Sequence, residues 1–256
     1  MPSESDLQSY VAVAESAARN AGELLRKNFH QDLEVDAKEA YDIKLALDRE
    51  SQELITEEIL AAFPDHMILG EEGNAGDKDS EFHWVVDPID GTALFLNGIP
   101  SWCISIALLV DGEIQLGLIY DPCNNELFAA QKGLGALLND KPISIADAQS
   151  VKDGMIGVGF SHRVKPNTCL HFLEHLLNDG GMYVRSGSGA LSLAYVAAGR
   201  LIGYYEPHIN AWDCLAGILL IEEAGGWVDD FLSGNGLAQG NPILCGAKPL
   251  KPVMIF

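Results

Sequence analysis

Apolar residues at Leu7, Val11, Ala14, Ala18, Ala21 and Leu25 recur every three or four positions, which predicts an amphipathic helix starting near Asp6 and capped by Ser3 or Ser5. Its alanines suit close packing against a neighbour. Residues 31–41 are polar and read as strand or loop. A second helical period runs through Leu54, Ile55, Ile59 and Leu60 and stops before Pro64. Asp48 stands at its start, where it is either an N-cap or a support for a site. A short apolar strand from Met67 ends in Gly70-Glu71-Glu72-Gly73. Neighbours on a strand point to opposite faces, so one glutamate of the pair can reach a given site; the alternative is a solvated strand end. Residues 74–80 read as a polar loop. Residues 101–110 and 113–120 flank Asp111-Gly112 and predict a hairpin. Residues 127–130 and 136–138 continue that antiparallel run, so the middle third predicts a mixed or antiparallel sheet rather than a doubly wound repeat.

The pattern shifts near Ile145. A fresh strand is predicted at 151–160 and a helix at 169–177. Arg185-Ser-Gly-Ser-Gly189 opens an apolar helix over 190–198, ended by Gly199. Its first N–H groups either hold an anion or hydroxyl or are capped by Ser186 or Ser188. A strand at 201–206 precedes Asn210-Ala-Trp-Asp-Cys-Leu-Ala-Gly217, the start of a long apolar helix reaching Ala224 and closed by Gly225-Gly226. Asp213 falls in its first turn, as a helix-start residue or as part of a site. Tail strands are predicted at 226–228 and 242–245. No internal repeat is evident.

Composition narrows the classes. The 256 residues are 48% apolar and 21% charged, ordinary globular material of one or two domains. Acidic residues outnumber basic ones 37 to 16, a net charge of −21. That argues against nucleic acid and anionic membrane surfaces as partners. It leaves room for a small phosphorylated substrate, because bound cations reverse the local sign. No apolar run reaches the ~18 residues of a membrane span. Five cysteines, odd in number and without a C-x-x-C pair, predict reduced thiols in a cytoplasmic protein. The acidic N-terminus lacks the basic and apolar regions of a signal peptide.

The stretch Trp84-Val-Val-Asp-Pro-Ile-Asp-Gly-Thr92 carries the chemistry. Val85 and Val86 end a buried strand. Asp87-Pro88 starts a turn, because proline fixes its own φ and pushes its predecessor out of the α region. Two carboxylates held together repel, and one takes a proton unless a cation intervenes. Carboxylates, a backbone carbonyl and water are the hard ligands Mg²⁺ prefers. The alternative is an Asx-turn in an ordinary loop. His171 and His175 lie at i, i+4 but lack the glutamate of H-E-x-x-H, so a solvated helix face is expected. Neither a P-loop nor a G-x-S-x-G elbow is present, and no D-x-D-x-T nucleophile occurs.

Three blocks in this order, G-E-E at 70–72, W-V-V-D-P-I-D-G-T at 84–92, and W-D-C-L-A-G at 212–217 with E-A-G-G at 223–226, resemble the inositol monophosphatase family of metal-dependent, lithium-sensitive sugar phosphatases. S-G-S at 186–188 with A-Y-V-A-A-G-R at 194–200 is a softer match. The resemblance implies a layered αβαβα sandwich of the α+β or α/β kind. It would be one compact unit with a boundary near residue 145. Residues 1–145 would carry most metal ligands, and 146–256 would carry Asp213 and the substrate contacts. It implies two or three Mg²⁺ ions, with Mn²⁺ a substitute and Ca²⁺ and Li⁺ inhibitory. The implied ligands are Glu71, Asp87, the Ile89 carbonyl, Asp90 and Asp213. Thr92 and Glu71 would orient the attacking water, and Asp48 would support the Thr92 hydroxyl. Asp90, Gly91, Thr92, Gly187, Ser188, Glu206 and Asp213 would meet substrate.

The implied reaction is hydrolysis of a small polyol or sugar phosphomonoester, inositol 1-phosphate first. Histidinol phosphate, fructose 1,6-bisphosphate and nucleotide 3′-phosphates are alternatives, as is a catalytically silent binding module. Glu206, after Tyr204-Tyr205, favours a hydroxyl-rich substrate. Family members are often homodimers. In the segment Asp42-Ile-Lys-Leu-Ala-Leu-Asp48, Lys44 and Leu45 replace the usual family valine and threonine.

Overall fold

The computed structural model describes residues 4–31, 35–38 and 43–254. Ser3 and Asp42, invoked above, lie outside them. Helix α1 spans Glu4–Asn28, and the short strands β1 (Val35–Lys38) and β2 (Ile43–Leu45) pair antiparallel before α2 (Ala46–Ala62). An eight-stranded sheet follows. Its strands are β3 (Met67–Gly70), β4 (Gly73–Gly76), β5 (Phe82–Asp90), β6 (Cys103–Val110), β7 (Glu113–Asp121), β8 (Glu126–Gln131), β9 (Gly135–Leu138) and β10 (Lys141–Pro142). Their order is β10-β9-β8-β7-β6-β5-β3-β4. Only β3 and β5 run parallel within it. The sheet is therefore mixed, as the sequence predicts. The hairpin turn falls at Asp111-Gly112, both with positive φ, the geometry whose twist suits flanking strands.

A second sheet has the order β12-β11-β13-β15-β14. It is built from β11 (Met155–Val158), β12 (Met182–Val184), β13 (Gly203–Ile209), β14 (Trp227–Val228) and β15 (Asn241–Gly246). The helices between these strands are α4 (Pro166–Asn178), α5 (Gly189–Ala197), α6 (Ala211–Glu223) and α7 (Gly236–Gln239). A five-residue α3 (Thr92–Leu96) follows β5, and α8 (Lys251–Met254) ends the described chain.

Alternation along the strands creates the layers. Val86, Ile104, Ile106, Leu108 and Leu118 face one way and pack on Ala14, Ala18, Ala21 and Leu25 of α1 and Ile55 and Ile59 of α2. Val85, Ala107, Leu109 and Ile119 face the other way and pack on α5 and α6. Those two helices are apolar nearly all round, because they are covered on both sides: Tyr204, Ile243 and Cys245 of the second sheet join the same cluster. The outer face of the second sheet, with Ile156, Val158 and Leu244, is covered by Phe172 and Leu176 of α4 and by Met254. The result is a layered α+β arrangement, helices–sheet–helices–sheet–helices. No helix among the described residues is long and apolar enough to cross a membrane.

Some elements depart from the sequence reading. Residues 74–76 read as loop, yet they belong to β4, which pairs with β3 from Met67↔Gly76 to Gly70↔Gly73. The strand expected at 151–160 is confined to Met155–Val158. The strand expected to end at Val86 continues through Pro88 to Asp90.

Candidate active site

That continuation builds the site. Asp87 pairs with Ser105 and Asp90 with Cys103, so three steps along β5 match two along β6. The extra residue is a β-bulge. Residues three apart on a regular strand point to opposite faces. The bulge removes that alternation and lets both carboxylates converge. Asp87 Oδ1 accepts the Ile89 N–H at 2.9 Å, the Asx geometry that tightens the turn. The bulge also explains why Pro88 is tolerated, since such a site demands no ladder N–H from it. Gly91 follows at φ 100, a left-handed conformation glycine adopts freely, and Thr92 opens α3.

Two more carboxylates are delivered from elsewhere. The Glu71 N–H donates to the Val86 carbonyl at 3.1 Å, extending the parallel β3–β5 pairing one residue and setting Glu71 beside Asp87. The Ser105 hydroxyl, opposite Asp87, donates to the Trp212 carbonyl at 2.9 Å. That bond ties the first turn of α6 to β6 and brings Asp213 in. Carboxylate oxygens of Asp87, Asp90 and Asp213 all lie within 4.8 Å of one another.

Burial, first of all, pushes these acids up. Glu71 rises to about 8 and Asp213 to about 7, each raised further by neighbouring carboxylates. Asp87 lies well above the carboxylate range, from burial and then from the charges of Glu71, Asp90 and Asp213. Asp90 is also raised by burial, opposed by the Ser188 hydroxyl and the N–H groups of Gly189, Ala190 and Leu191. The charges acting most strongly on Glu71 and Asp87 are other carboxylates. All-oxygen donors gathered against their own repulsion are a donor set that fits a hard divalent cation.

The remaining expected residues take up positions around this cluster. Asp48 is buried in the first turn of α2, and its charge raises Glu71. The Thr92 hydroxyl donates to the Ile89 carbonyl at 3.0 Å. Gly187, Ser188 and Glu206 line a cavity of about 120 Å³ together with Asp90 and Asp213. The Tyr204 hydroxyl donates to Glu206 Oε2 at 2.6 Å, while burial lifts Glu206 to about 8. The first N–H groups of α5 do hold an anion, and it is Asp90: Ala190 N–H and the Ser188 hydroxyl reach its Oδ2 at 2.6 and 2.5 Å. Ser188 also caps the helix, accepting the Leu191 N–H at 3.1 Å. His171 and His175 are exposed, as expected, and line a separate groove of about 590 Å³.

Several residues escape the sequence reading. The Gln52 amide accepts the Glu72 N–H at 2.8 Å and donates to the Gly73 carbonyl at 2.9 Å, fixing the turn that carries Glu71. Ser51 donates to the Pro88 carbonyl at 3.4 Å. The available signal is that Asp48, Ser51 and Gln52 are polar residues on the inward stripe that Ile55 and Ile59 continue. Phe160 and Arg185, which also line the cavity, carry no such signal.

The layers converge on buried carboxylates beside a small polar cavity, the arrangement of an enzyme centre built to hold hard cations. The family model described as "Inositol monophosphatase family" matches residues 6–253. The chain belongs to the inositol monophosphatase family. An inositol-1-monophosphatase of Rhizobium meliloti is 38% identical over 255 residues, 97% of this chain and 94% of that protein. A protein of Pasteurella multocida named "Nus factor SuhB" is 38% identical over 248 residues, 94% of this chain and 93% of its own length. The solved structure of inositol monophosphatase from Anabaena superposes with a TM-score of 0.84 at 36% identity, covering 97% of this chain and 95% of that one.

Proposed function

We propose that this chain hydrolyses a small polyol or sugar phosphomonoester, inositol 1-phosphate first, to the alcohol and inorganic phosphate, with two or three Mg²⁺ ions. One observation carries the reading: Asp87, Asp90 and Asp213 bring carboxylate oxygens within 4.8 Å beside a cavity that also holds Glu206 and Ser188. Glu71, Asp87, the Ile89 carbonyl, Asp90 and Asp213 hold the cations. Bound there, they supply Lewis acidity and positive charge for the developing leaving-group oxyanion. Mn²⁺ substitutes, and Ca²⁺ and Li⁺ inhibit.

The first intrahelical bonds of α3 run from Leu94 and Phe95 to the Gly91 carbonyl. The N–H groups of Gly91 and Thr92 therefore stand outside the helix ladder and serve the phosphate oxygens. The Thr92 hydroxyl and Glu71 orient the attacking water. Asp48, buried in the first turn of α2, would support the Thr92 hydroxyl. Gly187, Ser188 and Glu206 hold substrate hydroxyls, with Tyr204 fixing the Glu206 carboxyl. Residues 1–145 and 146–256 work as one unit, which acts as a homodimer in the cytoplasm. The cysteines are all free thiols, in keeping with a reducing compartment.

Phosphate release from a panel of inositol, histidinol, fructose and nucleotide phosphates tests the reading. Release that needs Mg²⁺ and is greatest with inositol 1-phosphate is expected. Activity unchanged in excess chelator would end it.

A further inference from the structure

Glu71 and Glu72 form the two-residue loop of a hairpin. β3 and β4 pair as far as Gly70↔Gly73, and the two glutamates turn between them. Loops this short favour left-handed residues such as asparagine, aspartate or glycine, because their twist matches the strands they join. The Asp111-Gly112 hairpin obeys that rule with two positive φ values, whereas neither glutamate takes a positive φ. The second arm supplies little hold of its own, since Gly73, Asn74 and Gly76 of β4 are exposed. The like charges of Asp213 and Glu72 also act against a charged Glu71. A loop of this kind needs a brace from elsewhere to keep Glu71 beside Asp87.

Helix α2 provides it. Gln52 is buried and lays its side-chain amide across the loop. Its Oε1 accepts the Glu72 N–H at 2.8 Å, and its Nε2 donates to the Gly73 carbonyl at 2.9 Å. Gly70 makes room for this, because a Cβ there would overlap the Gln52 amide. The neighbouring residue on α2, Ser51, donates to the Pro88 carbonyl inside the bulge at 3.4 Å. One helix thus holds both the loop that bears Glu71 and the bulge between Asp87 and Asp90 in a common frame.

We infer that Gln52 is a positioning residue that sets the affinity of the acidic centre for divalent cations, acting on Glu71 through the backbone of its loop. Groups that orient metal ligands without touching the metal commonly change affinity by about 10- to 100-fold when removed. This rests on the cation-dependent reading above and deepens it at the same site.

The test is calorimetric titration with Mg²⁺ of wild type, Gln52→Ala, Gly70→Ala and the double variant, with urea unfolding in the absence of Mg²⁺ to show that each folds. Gln52→Ala should weaken Mg²⁺ binding by about tenfold or more. Gly70→Ala leaves Gln52 in the chain but pushes its amide off the loop, and should weaken binding to a similar degree. It also keeps the buried carbon atoms of Gln52, so it carries the test if Gln52→Ala does not fold. In the double variant the added Cβ enters space the amide has left, so the two losses should not multiply. Excess Mg²⁺ should restore most of the phosphate release lost by either variant. A brace that serves stability alone would lower the urea midpoint and leave Mg²⁺ affinity at the wild-type value. That result, or losses that multiply, would overturn the inference. Cation binding needs no turnover, so the two readings separate. Gln52-dependent Mg²⁺ affinity without any phosphate release would refute the hydrolytic reading alone. Mg²⁺-dependent release with the same Mg²⁺ affinity in variants and wild type would refute this inference alone.

Discussion

Helices α5 and α6 start side by side at the acidic cluster and satisfy their first turns in opposite ways. At α6 the acid is local: Asp213 Oδ2 accepts the backbone N–H and the side-chain amide of Asn210, both at 3.2 Å. At α5 the acid comes from far away. Asp90, 100 residues before Ala190 in sequence, lays its carboxylate on the Ala190 N–H, and Ser188 joins in. The local device can form as soon as the helix does. The distant one forms only when β5, its bulge and α5 have all docked, so it couples the geometry of the carboxylate cluster to completion of the fold. A carboxylate against a helix N-terminus gains from the helix dipole, which helps Asp90 remain charged in a setting whose burial opposes charge.

Removing the charge of Asp90 is the most damaging change. Asp90→Asn keeps an acceptor for the Ala190 N–H, so the fold should survive, yet phosphate release should fall at least ~10²-fold, as when a group stabilising transition-state charge is lost. A variant within a few-fold of wild type would contradict the assignment. Smaller effects sharpen the contrast between the two helix starts. Ser188→Ala removes both a cap and a donor to a buried carboxylate and should cost about 1–3 kcal/mol in urea unfolding. Asn210→Ala leaves Asp213 its backbone donor and should cost about 0.5–1 kcal/mol. If Asn210→Ala proved the more damaging, the distant device would not be the stronger tie.

Much of this centre is legible in the chain because its parts are local. The Asp87–Thr92 turn, the Asp111-Gly112 hairpin and the start of α6 each carry their cause within a few residues. Elements set by partners are not legible. β4 has no apolar pattern and exists because β3 offers it an edge. The reach of Gln52 to residues 72 and 73 joins positions about twenty apart, and Ser188 to Asp90 spans 98. The bulge in β5 is hidden for a related reason: proline signals a turn in sequence, but its tolerance depends on the register of β6. Asp48 illustrates a signal left with two meanings, a helix-start acid that is also buried against the cluster.

Calorimetric titration of the protein with Mg²⁺ at pH 6 and pH 8 tests the central claim most directly. Glu71 at about 8 and Asp213 at about 7 retain protons at pH 6 that a cation must displace. By pH 8 Asp213 is largely ionised, and Glu71 has given up a large share of its proton. The account predicts tighter binding at pH 8 and proton release to the buffer at pH 6. The absence of a binding heat at either pH, or an affinity that ignores pH, would contradict it.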